Sequence, residues 1–215
     1  MDFVEQPCVL LMERALPESI LLSLASHPFT EKAALLCLIV YVFFAARGNI
    51  WCWLFGFISA FLYTFVFIYL DIDSQVLLNT LYMFLAVFGW MMWQSPQRKH
   101  QRSLYVYWPF LSHLKLTLGF VLLAVIARFS FPLWFTTDYQ LVESILAFVS
   151  IQASIMTVYR VIEGWLYWIV IDFLSLLIFW RDQESIINWF FISSSILAIY
   201  GFWNWRRIRQ NDLAL

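Results

Sequence analysis

Charge is what this sequence lacks most. Only 13% of its 215 residues are Asp, Glu, Lys or Arg, against about 25% in a soluble domain. So little charge cannot cover a folded chain in water, which excludes a soluble enzyme and a disordered chain. Lys and Arg (13) do not outnumber Asp and Glu (14). The basic surface that nucleic acid requires is therefore missing, and no nucleic-acid partner is expected. Cysteine is scarce as well: Cys8, Cys37 and Cys52 are odd in number and lack a CxxC spacing, so neither a disulfide nor a metal site is expected. His27, His100 and His113 are scattered at or outside the ends of the apolar runs. No GxxxxGKS or GxxxxGKT loop, HExxH helix or GxSxG turn occurs, so no enzyme and no cofactor are expected. Without an ATP site the chain cannot drive primary transport by itself.

What is abundant is apolar. Hydrophobic residues make up 63% of the chain and aromatic residues 20%, where a soluble protein has about 45–50% apolar residues. A membrane-spanning helix needs about 20 apolar residues. Polar clusters cut the chain into seven such runs, at about 32–47, 50–70, 75–94, 107–128, 139–159, 161–180 and 184–205. Backbone groups in lipid must bond within their own segment, so these are helices, and no strand-like alternation suggests a barrel. The fold class expected is an all-α membrane protein with seven transmembrane helices. The N-terminal MDFVEQPCVLLMERALPES is acidic and has no signal-peptide pattern, which gives a short tail or surface helix.

The basic residues set an orientation. Arg47, Arg98, Lys99, Arg102, Lys115, Arg160, Arg206, Arg207 and Arg209 fall on one side, and Arg14, Lys32, Arg128 and Arg181 on the other. Most loop acids (Asp71, Asp73, Asp138, Asp182, Glu184) share that second side. The positive-inside rule then puts the N-terminus outside and the C-terminus in the cytoplasm, which needs an odd number of spans.

The chain also repeats. At an offset of 112, Trp53 falls on Trp165, Leu54 on Leu166, Phe61 on Phe173, Leu62 on Leu174, Phe67 on Phe179, Gly89 on Gly201 and Trp93 on Trp205. Spans one to three are copied in spans five to seven, and the extra span between makes the copies parallel. Parallel repeats are a transporter plan, with the substrate held near midplane. The segments expected are a tail at 1–31, a first three-helix repeat at 32–94, and a cytoplasmic loop with linker helix at 95–138. A second repeat at 139–205 and a cytoplasmic tail at 206–215 complete the chain.

Polar groups inside apolar spans mark candidate sites, because they are costly there and face the protein interior or a water-filled path. In span six Trp165, Trp168, Asp172 and Ser175 share one helix face. Two indoles beside a carboxylate suit a flat, cationic ring. Span three puts Asn79, Tyr82, Ala86 and Gly89 on one stripe, and span five puts Glu143, Ala147, Ser150 and Ser154 on another. Span two carries Gly56, Ser59 and Tyr63. The substrate-binding residues expected are thus Trp165, Trp168, Asn79, Glu143, Asp172, Tyr63, Tyr82 and Ser150. Arg160 and Glu163 flank the turn between spans five and six, where either a structural salt bridge or a cytoplasmic gate fits.

The stretch NIWCWLFGFISAFLYTFVFIYLDIDSQVLLNTLYMFLAVFGWMMWQ (49–94), with IEGWLYWIVIDFLS (162–175), resembles the Pnu family of bacterial vitamin transporters. The likeness covers about residues 32–206, and its most specific parts are Gly89–Trp90 with Trp93, and Glu163 with Trp165 and Trp168. The resemblance implies a SWEET-like fold of 3+1+3 helices, often a homotrimer, in the bacterial inner membrane. It implies facilitated diffusion of an unphosphorylated vitamin that a cytoplasmic kinase then traps. Two positions depart from the nicotinamide riboside (PnuC-like) pattern: Gly164 stands where Asn is usual, and Asn79 where Gln is usual. The ARGNIWCW run (46–53) resembles the thiamine branch, PnuT. On that likeness the substrate expected is thiamine, whose charge Glu143 and Asp172 would balance. Nicotinamide riboside is the alternative and riboflavin a third. A non-transporting membrane scaffold is the reading from a different class, and it predicts no small-molecule affinity.

Overall fold

The structure, a computed structural model, describes residues 28–95, 103–131, 140–179 and 185–214. Those residues form seven helices: α1 Pro28–Ala46, α2 Cys52–Tyr69, α3 Asp73–Gln94, α4 Phe110–Ser130, α5 Gln140–Val158, α6 Gly164–Phe179 and α7 Ser185–Ala214. Each begins and ends within a few residues of an expected span, except that α7 continues to Ala214. The stretch after Trp205 is rich in residues that favour helix, so the expected C-terminal tail is helical. Five helices, α1 to α5, are long and apolar enough to cross a membrane, and α6 carries a shorter apolar stretch, Gly164–Ile178. Cys8, Arg98, Lys99, Arg102, Asp138, Arg181, Asp182 and Glu184 lie outside the described residues.

Six helices close a ring. α1 packs on α2, α2 on α3, α3 on α5, α5 on α6, α6 on α7, and α7 returns to α1. α4 packs on α5 from outside the ring, and Ala124 is its one buried residue. The ring is thus made of two three-helix units, α1–α3 and α5–α7, with α4 outside it.

The offset of 112 is visible in the geometry. Trp53 meets Trp93 edge-on at 5.3 Å and 83°, and Trp165 meets Trp205 at 5.2 Å and 81°. Each leading indole lies flat against a glycine, Trp53 on Gly89 and Trp165 on Gly201. The turns match too. Gly48 (φ 69°) and Arg160 (φ 58°) occupy the left-handed region at equivalent positions. The next residues, Asn49 and Val161, donate their N–H to Phe44 O and Met156 O, each at 2.9 Å, which is the helix-ending bond such a residue permits. The units are also cross-tied: Trp93 Nε1 donates to Val158 O at the end of α5, and Trp205 Nε1 to Ala45 O at the end of α1, each at 3.0 Å.

A strap joins these turns. Val106 pairs with the α5–α6 turn, its N–H donating to Arg160 O and its carbonyl accepting from Ile162 N. Ser103 Oγ donates to Asp212 on α7. Tyr105 lies 5.0 Å from Trp205.

Candidate functional site

The ring encloses one large cavity of about 790 Å³. Tyr63, Asn79, Tyr82, Glu143, Ser150, Trp165, Trp168 and Asp172 all line it, so the structure brings every site residue expected from sequence to one space. They arrive there from α2, α3, α5 and α6 because each faces inward on its own helix, among apolar lining residues such as Leu38, Phe67 and Leu146.

The two ends of the cavity differ. Glu31, exposed at the start of α1, and half-buried Glu143 at the start of α5 stand at one end. Trp165 and Thr157 line the other, and an aromatic cluster closes the space behind Trp165. In that cluster Trp205 touches both Trp165 and Tyr105, and the buried Arg160 guanidinium sits 4.0 Å over the Trp93 ring and 5.3 Å from Tyr105. Burial pushes the Tyr105 phenol up, against the pull of Arg160, so the closing ring stays uncharged near neutral pH.

Within the cavity the electrostatics have one sign. Glu31, Glu143 and Asp172 line it, and among the described residues no Lys or Arg does. Asp172 is 3% exposed, backed by the hydroxyls of Ser194 and Ser195 from α7, and its Oδ2 has no partner. A buried carboxylate oxygen without a partner is costly, and a ligand cation would supply one. Trp165 Nε1 likewise has no acceptor. Tyr82 and Ser150 meet at 2.6 Å across the α3–α5 seam. Ser150 spends its own proton on Ala147 O, so Tyr82 is the donor, and this bond joins the two units beside the cavity. Asn79 Nδ2 donates to Gln75 O at 2.8 Å.

Some assignments change. Gly164 does not line the cavity; a Cβ there would meet Met156 Cβ at 3.1 Å and Ala153 O at 3.7 Å. The departure at 164 thus concerns α5–α6 packing, and of the two positions only Asn79 lines the cavity. Glu163 accepts from Trp108 N at 3.2 Å and faces His113 Nε2 at 3.4 Å. From His113 a polar chain runs through Tyr167 (3.3 Å) and Thr117 (3.0 Å) to Gln152 (3.0 Å), pinning α4 to α5 and α6. Sequence reasoning treated His113 as a stray, because its partners are 50 residues downstream. It also missed Glu31 and Tyr41 as lining residues. Glu31 was reachable, since it stands 112 residues before Glu143.

A closed ring of apolar helices around a large acidic, aromatic cavity belongs to a membrane transporter of small molecules. The family described as nicotinamide mononucleotide transporter matches residues 29–207. The chain belongs to this family, the one whose bacterial members are called Pnu, and it is a transporter and not an enzyme. Its fold is similar to the crystal structure of the vitamin B3 transporter PnuC, with a TM-score of 0.65 and 20% identity over 90% of this chain and 87% of that one.

Proposed function

We propose that this protein takes up an unphosphorylated, cationic B-group vitamin by facilitated diffusion, with nicotinamide riboside as the first candidate. The observation that carries the reading is the cavity's charge: among the described residues it is lined by three carboxylates, no basic residue, and two indoles. Nicotinamide riboside is a flat pyridinium cation, which indoles attract face-on. Its phosphorylated form would bring a negative group among those carboxylates. The family's description and the printed name of the similar structure support a nicotinamide-bearing ligand. Thiamine is the second reading. It is also a cation, and the shorter Asn79 favours it, but the Gly164 departure no longer does.

On this reading the two units are parallel copies in a 3+1+3, SWEET-like arrangement, and they rock about the cavity. The matched Trp–Gly–Trp sets support that arrangement. The turn end, with the aromatic cluster and the strap, is the cytoplasmic one, and the Glu31/Glu143 end opens outward. The basic residues Arg47, Arg160, Arg206, Arg207 and Arg209 at the turn end support this orientation. A homotrimer in the inner membrane, and trapping by a cytoplasmic kinase, follow from the family resemblance.

Tryptophan-fluorescence titration of the purified protein tests the reading. Nicotinamide riboside, thiamine, riboflavin and nicotinamide mononucleotide are added in turn. Saturable quenching by a cation, and none by the mononucleotide, is expected. Silence from all four in folded protein would move the reading to another substrate. Trp168→Ala is expected to weaken binding by about 1–3 kcal/mol, the range for loss of one stacking ring. Unchanged affinity in a folded variant removes Trp168 from the site.

A further inference from the structure

Beside the main cavity lies a second chamber of about 110 Å³. Its lining includes Tyr63, Asn79 and Trp168, which line the main cavity too, so the two spaces adjoin. Three features set it apart. Among the described residues no charged one lines it. Trp53, 3% exposed, lines it and has no acceptor for its Nε1–H, although a buried indole N–H normally finds one. And Gly56 lines it. At the repeat offset Trp53 is the counterpart of Trp165, and Gly56 the counterpart of Trp168. The second unit fills its site with two indoles; the first keeps one, and at Gly56 the Tyr41 ring stands 2.9 Å from where a Cβ would be, so Tyr41 and not a second indole walls the chamber there.

We propose that this chamber is a second subsite, which takes the uncharged part of a two-part ligand: a small ring bearing a hydrogen-bond acceptor that receives the Trp53 N–H. The inference rests on the cationic-vitamin reading and deepens it. The cationic ring stays among the carboxylates and the Trp165/Trp168 pair, because only that space is acidic. The uncharged ring turns toward Trp53, because that chamber offers a buried donor and no charge to oppose or attract a cation. At about 110 Å³ it is smaller than the apolar cavity of about 150 Å³ that holds benzene, so a ring enters it in part, from the adjoining main cavity. Two ligand parts share this chemistry, the furanose of nicotinamide riboside and the aminopyrimidine of thiamine.

Calorimetric titration of the full-length protein in detergent decides it. The two-part probes are nicotinamide riboside and thiamine; the cation-only probes are N-methylnicotinamide and an N-alkylthiazolium. Trp53→Phe removes the N–H and keeps most of the ring. Ala60→Leu fills the chamber without altering the indole, and stands in if the first variant does not fold. Each variant is expected to weaken a two-part ligand about tenfold, the worth of one buried hydrogen bond, and to leave the cation-only probes within about twofold. Whichever two-part ligand shows the loss identifies the ring. Equal weakening of both probe types, or no weakening in either variant, overturns the chamber and keeps the cationic-vitamin reading. If folded wild-type protein binds none of the four, the reading itself fails and the chamber with it.

Discussion

Asp172→Asn is expected to weaken binding of the cationic vitamin by about 3 kcal/mol, more than a hundredfold. That is the range seen when one partner of a buried, hydrogen-bonded charge pair is removed. Asparagine keeps the shape and can still accept from Ser194 and Ser195, so the loss isolates the charge. The other two carboxylates cannot replace it. Glu31 is exposed and Glu143 half-buried, and charges near water interact weakly. In the empty protein the same change relieves a buried carboxylate oxygen that has no partner. Stability should therefore stay level or rise. Lost binding without lost stability is the signature of a ligand-facing charge. The control is the neutral dihydro form of nicotinamide riboside, whose binding should respond little to the substitution. Unchanged affinity for the cation in folded Asp172→Asn would move the charge contact to the Glu31/Glu143 mouth.

The site was legible in the sequence wherever a polar group interrupted an apolar run, because such a group needs a partner and lipid offers none. Asp172, Asn79 and Glu143 announce themselves in this way. Trp53 does not: in a chain with 12 tryptophans, a lipid-facing indole, a packed one and a ligand-facing one look alike. What separates them is a missing acceptor, which only three-dimensional neighbours reveal. Gly164 failed in the opposite direction. A glycine near an indole pair reads as a lost ligand contact, yet its neighbour is Met156 on the adjacent helix. The strap is invisible for another reason. A single bridge between Val106 and Val161 leaves no pattern in a short segment. The repeat survived in the sequence because an indole lying flat on a glycine tolerates almost no change on either side.

That intolerance sets the second large effect. Gly89→Leu and Gly201→Leu are each expected to destabilise the protein by about 3 kcal/mol, at the upper end of overpacking costs. A Cβ at Gly89 would come within 2.6 Å of Trp53 Cδ2, and one at Gly201 within 2.6 Å of Trp165 Cε2. Neither indole can simply step aside. Trp53 is braced by Trp93 and Tyr41, and Trp165 by Trp205. Leucine's better helix propensity returns only about 1 kcal/mol, so overpacking wins. Gly119 on α4 supplies the control, since a Cβ there meets nothing within 4 Å. Gly119→Leu should leave stability level or raise it by up to about 1 kcal/mol. Thermal unfolding in detergent reads all three. Equal losses at 89 and 201 with none at 119 would mean that the two units use the same joint. A loss at one glycine alone would mean that the units have diverged where their cores are packed.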